Sequence, residues 1–105
     1  ICGYSDVNNF YALTVGSGGY VEIFRYQQGK RITLASAENQ AGIDPEYNHL
    51  KAECTSSTLQ LWVNGSLVAE VEALEVPYGD VGLIVSSFDE ANVEILFDNF
   101  VVWNQ

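Results

Sequence analysis

The sequence of 105 residues predicts an all-β fold, an antiparallel two-sheet jelly-roll sandwich, on three observations. The first is alternation: Leu50, Ala52 and Cys54 interleave with Lys51 and Glu53, and Leu59, Leu61 and Val63 with Thr58, Gln60 and Trp62. A period of two is what a strand with one buried face imposes. The second is punctuation. Short apolar runs are separated by clusters of Gly, Asn, Asp and Ser, among them Asn64-Gly65, the strongest short-range hairpin signal. The third is that no stretch carries a convincing helical period, and many short strands at regular spacing mean a sandwich or a barrel.

A chain of this length forms one domain, 1–105, and 48% apolar residues are enough to furnish its core. Fourteen acidic against four basic side chains give a net charge of -10, which disfavours nucleic acid and anionic membrane surfaces as partners. No run of apolar residues reaches the roughly 18 needed to cross a bilayer as a helix.

Taken in order, strands are expected near 1–4, 9–15, 19–26, 30–36, 48–54, 57–63, 67–72, 80–87 and 92–103. Residues 37–47, with Gly42 and Pro45, form the one long connection, with room for a brief helical turn. Parity sets the Asn64 hairpin. A two-residue loop would place Leu59 opposite Glu70, so a three-residue loop, Asn64-Gly65-Ser66, is expected, pairing Val63 with Leu67, Leu61 with Ala69 and Leu59 with Val71. Trp62, Gln60, Val68, Glu70 and Glu72 then point off the core. In the last strand Val93, Ile95 and Phe97 fall out of phase with Phe100 and Val102, and a β-bulge at Asp98-Asn99 would restore the phase. The opening Ile1-Cys2-Gly3-Tyr4 reads as the inside of a strand, so the sandwich is expected to be completed by strands from outside residues 1–105, from a precursor segment or a partner chain.

The aromatic residues carry the clearest functional pattern. If an odd loop closes at Gly16–Gly19, then Leu13, Val15, Val21 and Ile23 share the core face, and Phe10, Tyr20, Glu22, Phe24 and Tyr26 share the other. Rings at positions 20, 24 and 26 of one strand stand at multiples of roughly 6.6 Å, near the repeat of a polysaccharide. Tyr20, Phe24 and Tyr26 with Glu22 are therefore the expected weak saccharide platform, since sugars offer apolar faces and hydroxyl edges. Coverage of these rings by other strands is the competing expectation. Arg25 falls on the opposite face by the same parity and is assigned no role.

His49 stands alone at a strand end beside Asn48 and reads as a turn or surface group, without a nucleophile in a recognisable setting. Glu70 and Glu72 share a strand face, as the two carboxylates of a retaining glycosidase would. A solvated strand face explains them equally well. Asp6, Asn8, Asp89 and Asn92 place oxygen atoms in loops, where Ca²⁺ is the one cofactor worth naming, although the spacing matches no calcium loop and Asp and Asn are ordinary turn formers.

Asn9-Phe-Tyr-Ala-Leu with Gly19-Tyr-Val-Glu-Ile-Phe-Arg-Tyr26 resembles the first hairpins of concanavalin A-like β-sandwich domains. His49-Leu-Lys-Ala-Glu-Cys followed by Leu59-Gln-Leu-Trp-Val-Asn-Gly is similar to their central meander, and Gly82-Leu-Ile with Phe97-Asp-Asn-Phe to their closing strands. Laminin-G-like modules and 3-keto-disaccharide hydrolase domains are kinds that it resembles. The likeness covers nearly the whole chain but lies in turns and core positions, and one such sandwich hosts many functions. It implies a domain lacking its N-terminal strands, exported to the extracellular space or cell surface. There a Cys2–Cys54 disulfide would persist; two buried free thiols are the alternative. It further implies a non-catalytic module for weak carbohydrate binding or adhesion. The alternatives are a structural domain completed by another chain and a glycoside hydrolase-like enzyme, whose spacing Glu70-x-Glu72-x-x-Glu75 only partly matches.

Overall fold

The computed structural model describes residues 1–16, 18–44, 47–55, 57–72, 79–84, 97 and 100–102. Over these, the chain forms two antiparallel meanders. Strands β1 (Cys2–Asp6), β2 (Asn9–Val15), β3 (Val21–Gln27) and β4 (Lys30–Ala37) make one sheet in chain order, and β5 (Leu50–Cys54), β6 (Thr58–Val63) and β7 (Ser66–Glu72) make the other. Short turns hold each strand beside its neighbour in sequence, and the connection after Ala37 carries the chain from one sheet to the next. No helix forms among the described residues.

The expected parity holds through β2 and β3. Val15 pairs with Val21, Leu13 with Ile23 and Tyr11 with Arg25 across an odd loop. The faces this sets inward pack against the second sheet: Cys2, Tyr11, Leu13, Val21 and Ile23 meet Leu59, Leu61 and Val63 in one apolar cluster. Complete burial of an aliphatic side chain of this size stabilises by roughly 1.5–3 kcal/mol, and Ile23, Leu59, Leu61, Val21 and Val63 are the largest that are fully enclosed. The two sheets are also joined covalently, by a disulfide between Cys2 of β1 and Cys54 of β5.

Two bulges adjust the phase where strict alternation would misplace side chains. Between Ile23 and Phe24 the β3–β4 register shifts by one residue, so Leu34 is extra. Leu34, Ala35 and Ala37 then face the core, while Arg31 and Thr33 turn to the outer face beside Glu22. The second bulge corrects the hairpin expected at Asn64. Its loop has two residues, with Val63 opposite Ser66 and Trp62 opposite Leu67, yet Leu61 pairs with Ala69 and Leu59 with Val71 as expected. Val68 is the extra residue. It packs against the core instead of pointing off it, and Leu67 lies 44% exposed. The reason is that two demands conflict. Asn64 at φ 51° and Gly65 at φ 86° form the left-handed two-residue turn that suits strand twist, and burial of Leu59 and Leu61 requires the other phase. One inserted residue satisfies both.

Asn64 also ties the turn to the long connection. Its backbone N–H donates to His49 O at 2.8 Å, its Oδ1 accepts from His49 N–H at 2.8 Å, and its Nδ2 donates to Gly42 O at 2.9 Å. Asn64→Ala is expected to lower stability by about 2 kcal/mol, combining a left-handed φ with lost hydrogen bonds. Urea unfolding checks this as a lower midpoint at unchanged slope; an unmoved midpoint overturns it.

The outer edge of β1 meets a later segment of the same chain. Tyr4 N–H donates to Asp80 O at 3.1 Å and Asp80 N–H to Tyr4 O at 3.0 Å, while Gly82 N–H donates to Ile1 O at 3.2 Å. Gly79 permits this approach: a Cβ there would lie 2.6 Å from the carbonyl carbon of Gly3. Asp80 makes an isolated bridge and residues 81–84 are not a strand, so the strand expected over 80–87 does not form in its described part. Residues 85–87, most of 92–103 and the bulge expected at Asp98-Asn99 lie outside the described residues.

Candidate functional site

Of the expected platform residues, Glu22, Phe24 and Tyr26 lie on one face of β3, but they do not form an open platform. Glu22 is buried, its carboxylate paired with the Arg31 guanidinium and accepting from Thr33 Oγ1 at 2.8 Å. Phe24 is 4% exposed, and the Arg31 guanidinium carbon sits 3.9 Å from its ring centroid. With Phe10 and Ala12 it forms a second apolar cluster, against which Ile1, Tyr4 and Tyr26 pack. The Phe24 ring face is therefore occupied by the Arg31 guanidinium. Parity was right; exposure was not, because the β3–β4 bulge swings Arg31 over the ring. Tyr20 is 37% exposed, yet it precedes the first residue of β3 and Tyr26 nearly ends it. Six residues of strand separate them by roughly 20 Å, so the two do not serve one ligand unit.

Tyr26 lines a cleft of about 240 Å³ built by the same ends of β1, β2 and β3, with Ser5, Asn9, Gln27, Gln28 and Arg25 around it. Its rim is stiff. Asp6 Oδ1 accepts from Asn8 N–H at 2.8 Å and from Asn9 Nδ2 at 3.0 Å, and Asn9 Oδ1 accepts from Gln28 N–H at 3.0 Å. Gly29 N–H donates to Asn8 O at 3.0 Å, so the β1–β2 turn is latched to the β3–β4 turn. Tyr26 itself is fixed by rings: Phe10 at 5.1 Å and Phe24 edge-on at 5.8 Å between centroids.

Parity assigns Arg25 no role, yet the structure brings it into the cleft wall. It is half-buried, with its guanidinium 5.0 Å from the Tyr11 ring centroid. Its Nε is buried without a hydrogen-bond partner, a state that costs about 1–3 kcal/mol or more for a charged donor. The sequence signal for it was present: Val21, Ile23 and Arg25 share one parity, and a charge in an otherwise aliphatic series is anomalous. Gln27 and Gln28, also missed, are exposed turn-end residues with nothing in their local pattern to distinguish them.

The remaining candidates stay apart from the cleft. His49 is exposed on β5's approach, engaged through its backbone by Asn64. Glu70 and Glu72 are exposed on the outer face of β7, Glu70 accepting from Gln60 Nε2; Glu75 lies outside the described residues. Asp6 serves the turn described above, and Asp89 and Asn92 are outside the described residues. Among the described residues no three or more His, Cys, Asp or Glu side chains are grouped to hold a metal ion. No described helix is long and apolar enough to cross a membrane.

Two packed antiparallel sheets with a cleft at one strand end define an all-β sandwich protein. Comparison with known protein families, curated proteins and solved structures returned no match.

Proposed function

We propose that the chain is a non-catalytic β-sandwich module of the concanavalin A-like kind that binds carbohydrate weakly in the Tyr26 cleft, outside the cell or at its surface. One observation carries this: an immobilised aromatic ring stands beside the side-chain amides of Gln27 and Gln28, which make no hydrogen bond among the described residues, in a cleft of about 240 Å³. That volume is below the roughly 300–1,000 Å³ of pockets for drug-sized ligands and suits a single sugar unit. Stacking on one ring with a few amide contacts gives low affinity, which repeated units raise by avidity. The Cys2–Cys54 disulfide is compatible with an oxidising compartment. The alternative of a second chain completing the sheet loses its motive at β1, whose outer edge residues 80–82 already occupy.

The test is affinity electrophoresis through gels containing β-glucan, xylan, galactan or polygalacturonate, comparing wild type with Tyr26→Ala. Retardation in at least one gel, lost in the variant, is expected, with the polymer recovered at unchanged length. Free migration in every gel overturns the proposal, and polymer shortening abolished by Glu70→Gln would replace it with an enzyme.

A further inference from the structure

We infer that the sugar unit taken by the cleft carries a carboxylate, as a hexuronic acid does, and that Arg25 is the residue that selects it. This rests on the carbohydrate-binding proposal and adds the class of sugar.

A guanidinium stays charged at any ordinary pH, and a partly desolvated one is stable only with an anion or dense hydrogen bonding. Eight of this chain's 14 side-chain carboxylates belong to described residues. Arg31 takes Glu22 and Lys51 takes Glu53 at 3.5 Å, whereas no ion pair reaches Arg25 among the described residues. A half-buried arginine that pairs with no carboxylate among the described residues, in the wall of a cleft, has a place for one from outside. The cation is also held ready. The Tyr11 ring at 5.0 Å supports one face of the guanidinium, and Nε is a buried donor still lacking an acceptor. With Nε enclosed, a carboxylate from the cleft meets the terminal guanidinium nitrogens. A sugar hydroxyl could accept from a terminal nitrogen but would leave the charge unneutralised. Tyr26 offers its ring to the sugar face, and the Gln27 and Gln28 amides suit hydroxyls at the rim. These neighbours favour a sugar acid over the carboxylate of an acidic peptide.

The experiment is an NMR chemical-shift titration of the intact, disulfide-bonded chain with methyl galacturonoside and methyl galactoside, which differ at the carboxylate. Acetate alone and a short poly-glutamate peptide complete the set. At least tenfold tighter binding of the uronoside is expected, weakening with added salt as a charge contact does. Arg25→Gln should bring the uronoside down to the affinity of the neutral glycoside, and Arg25→Lys should keep part of the preference. The salt series on wild type decides the matter if either variant fails to fold. Equal, salt-independent binding of both glycosides overturns the role of Arg25 while leaving carbohydrate binding intact. Acetate or poly-glutamate binding as tightly as the uronoside overturns the sugar. Absence of binding by either glycoside overturns this inference together with the proposal beneath it.

Discussion

Replacing both cysteines, Cys2→Ser with Cys54→Ser, is expected to cost about 4 kcal/mol of stability. The bridge closes 52 residues of sequence, for which chain entropy alone gives about 4 kcal/mol. Its place in the fold argues against a smaller value. It joins β1 of one sheet to β5 of the other, and Cys2 is itself part of the buried cluster with Tyr11 and Ile23. Hydroxyls put in place of sulfur there would need hydrogen-bond partners that the apolar cluster does not supply. For a domain near 100 residues each kcal/mol moves the midpoint about 4–8 °C, so thermal unfolding should fall by roughly 15–30 °C. A fall below about 5 °C would mean that the sheets hold together without the bridge. Thiol titration of the unreduced, denatured protein should find no free thiol; two reactive thiols would overturn the disulfide itself.

The first seven strands were legible in the sequence because each carries its own alternation and each is bounded by turn residues. Each of the seven begins and ends within two residues of its expected limits. What the pattern could not supply was the bulges. A single extra residue leaves the local period of both flanking halves intact, so Leu34 and Val68 look like ordinary members of their strands. The hairpin at Asn64 shows the cost. Turn chemistry and burial gave opposite phases, and the sequence offered no sign that both would be met. The burial of Phe24 was hidden for the same reason. With Arg31 one residue out of phase, Phe24 seemed to face solvent, and only the shifted register shows the guanidinium lying on it. Arg25 failed differently: its parity was assigned correctly, but inward was equated with inert, whereas the end of a sandwich is where an inward residue meets a cleft.

Arg31→Ala is the second change expected to have a large effect, a loss of about 2–4 kcal/mol, because of which partner is left behind. The Glu22 side chain is 7% exposed and that of Arg31 42%. Removing the arginine strands a buried carboxylate with only Thr33 Oγ1, at 2.8 Å, to hold it, and breaking a buried pair from one side is strongly destabilising because the other charge stays uncompensated. The Phe24 ring also loses the cation 3.9 Å above its centroid, worth about 0.5–2 kcal/mol. Removing the other partner is milder. With Glu22→Gln the arginine can turn toward water, and the amide can still hydrogen-bond Thr33. Arg31→Lys should fall between, since an ammonium keeps the charge but not the planar fork or the stacking. The decisive variant is the double one. Glu22→Gln in the Arg31→Ala background removes the stranded charge, so urea unfolding should find the double variant more stable than Arg31→Ala alone. A double variant no more stable than the single one, or a single loss below about 1 kcal/mol, would show that the outer face of the first sheet does not depend on this pair.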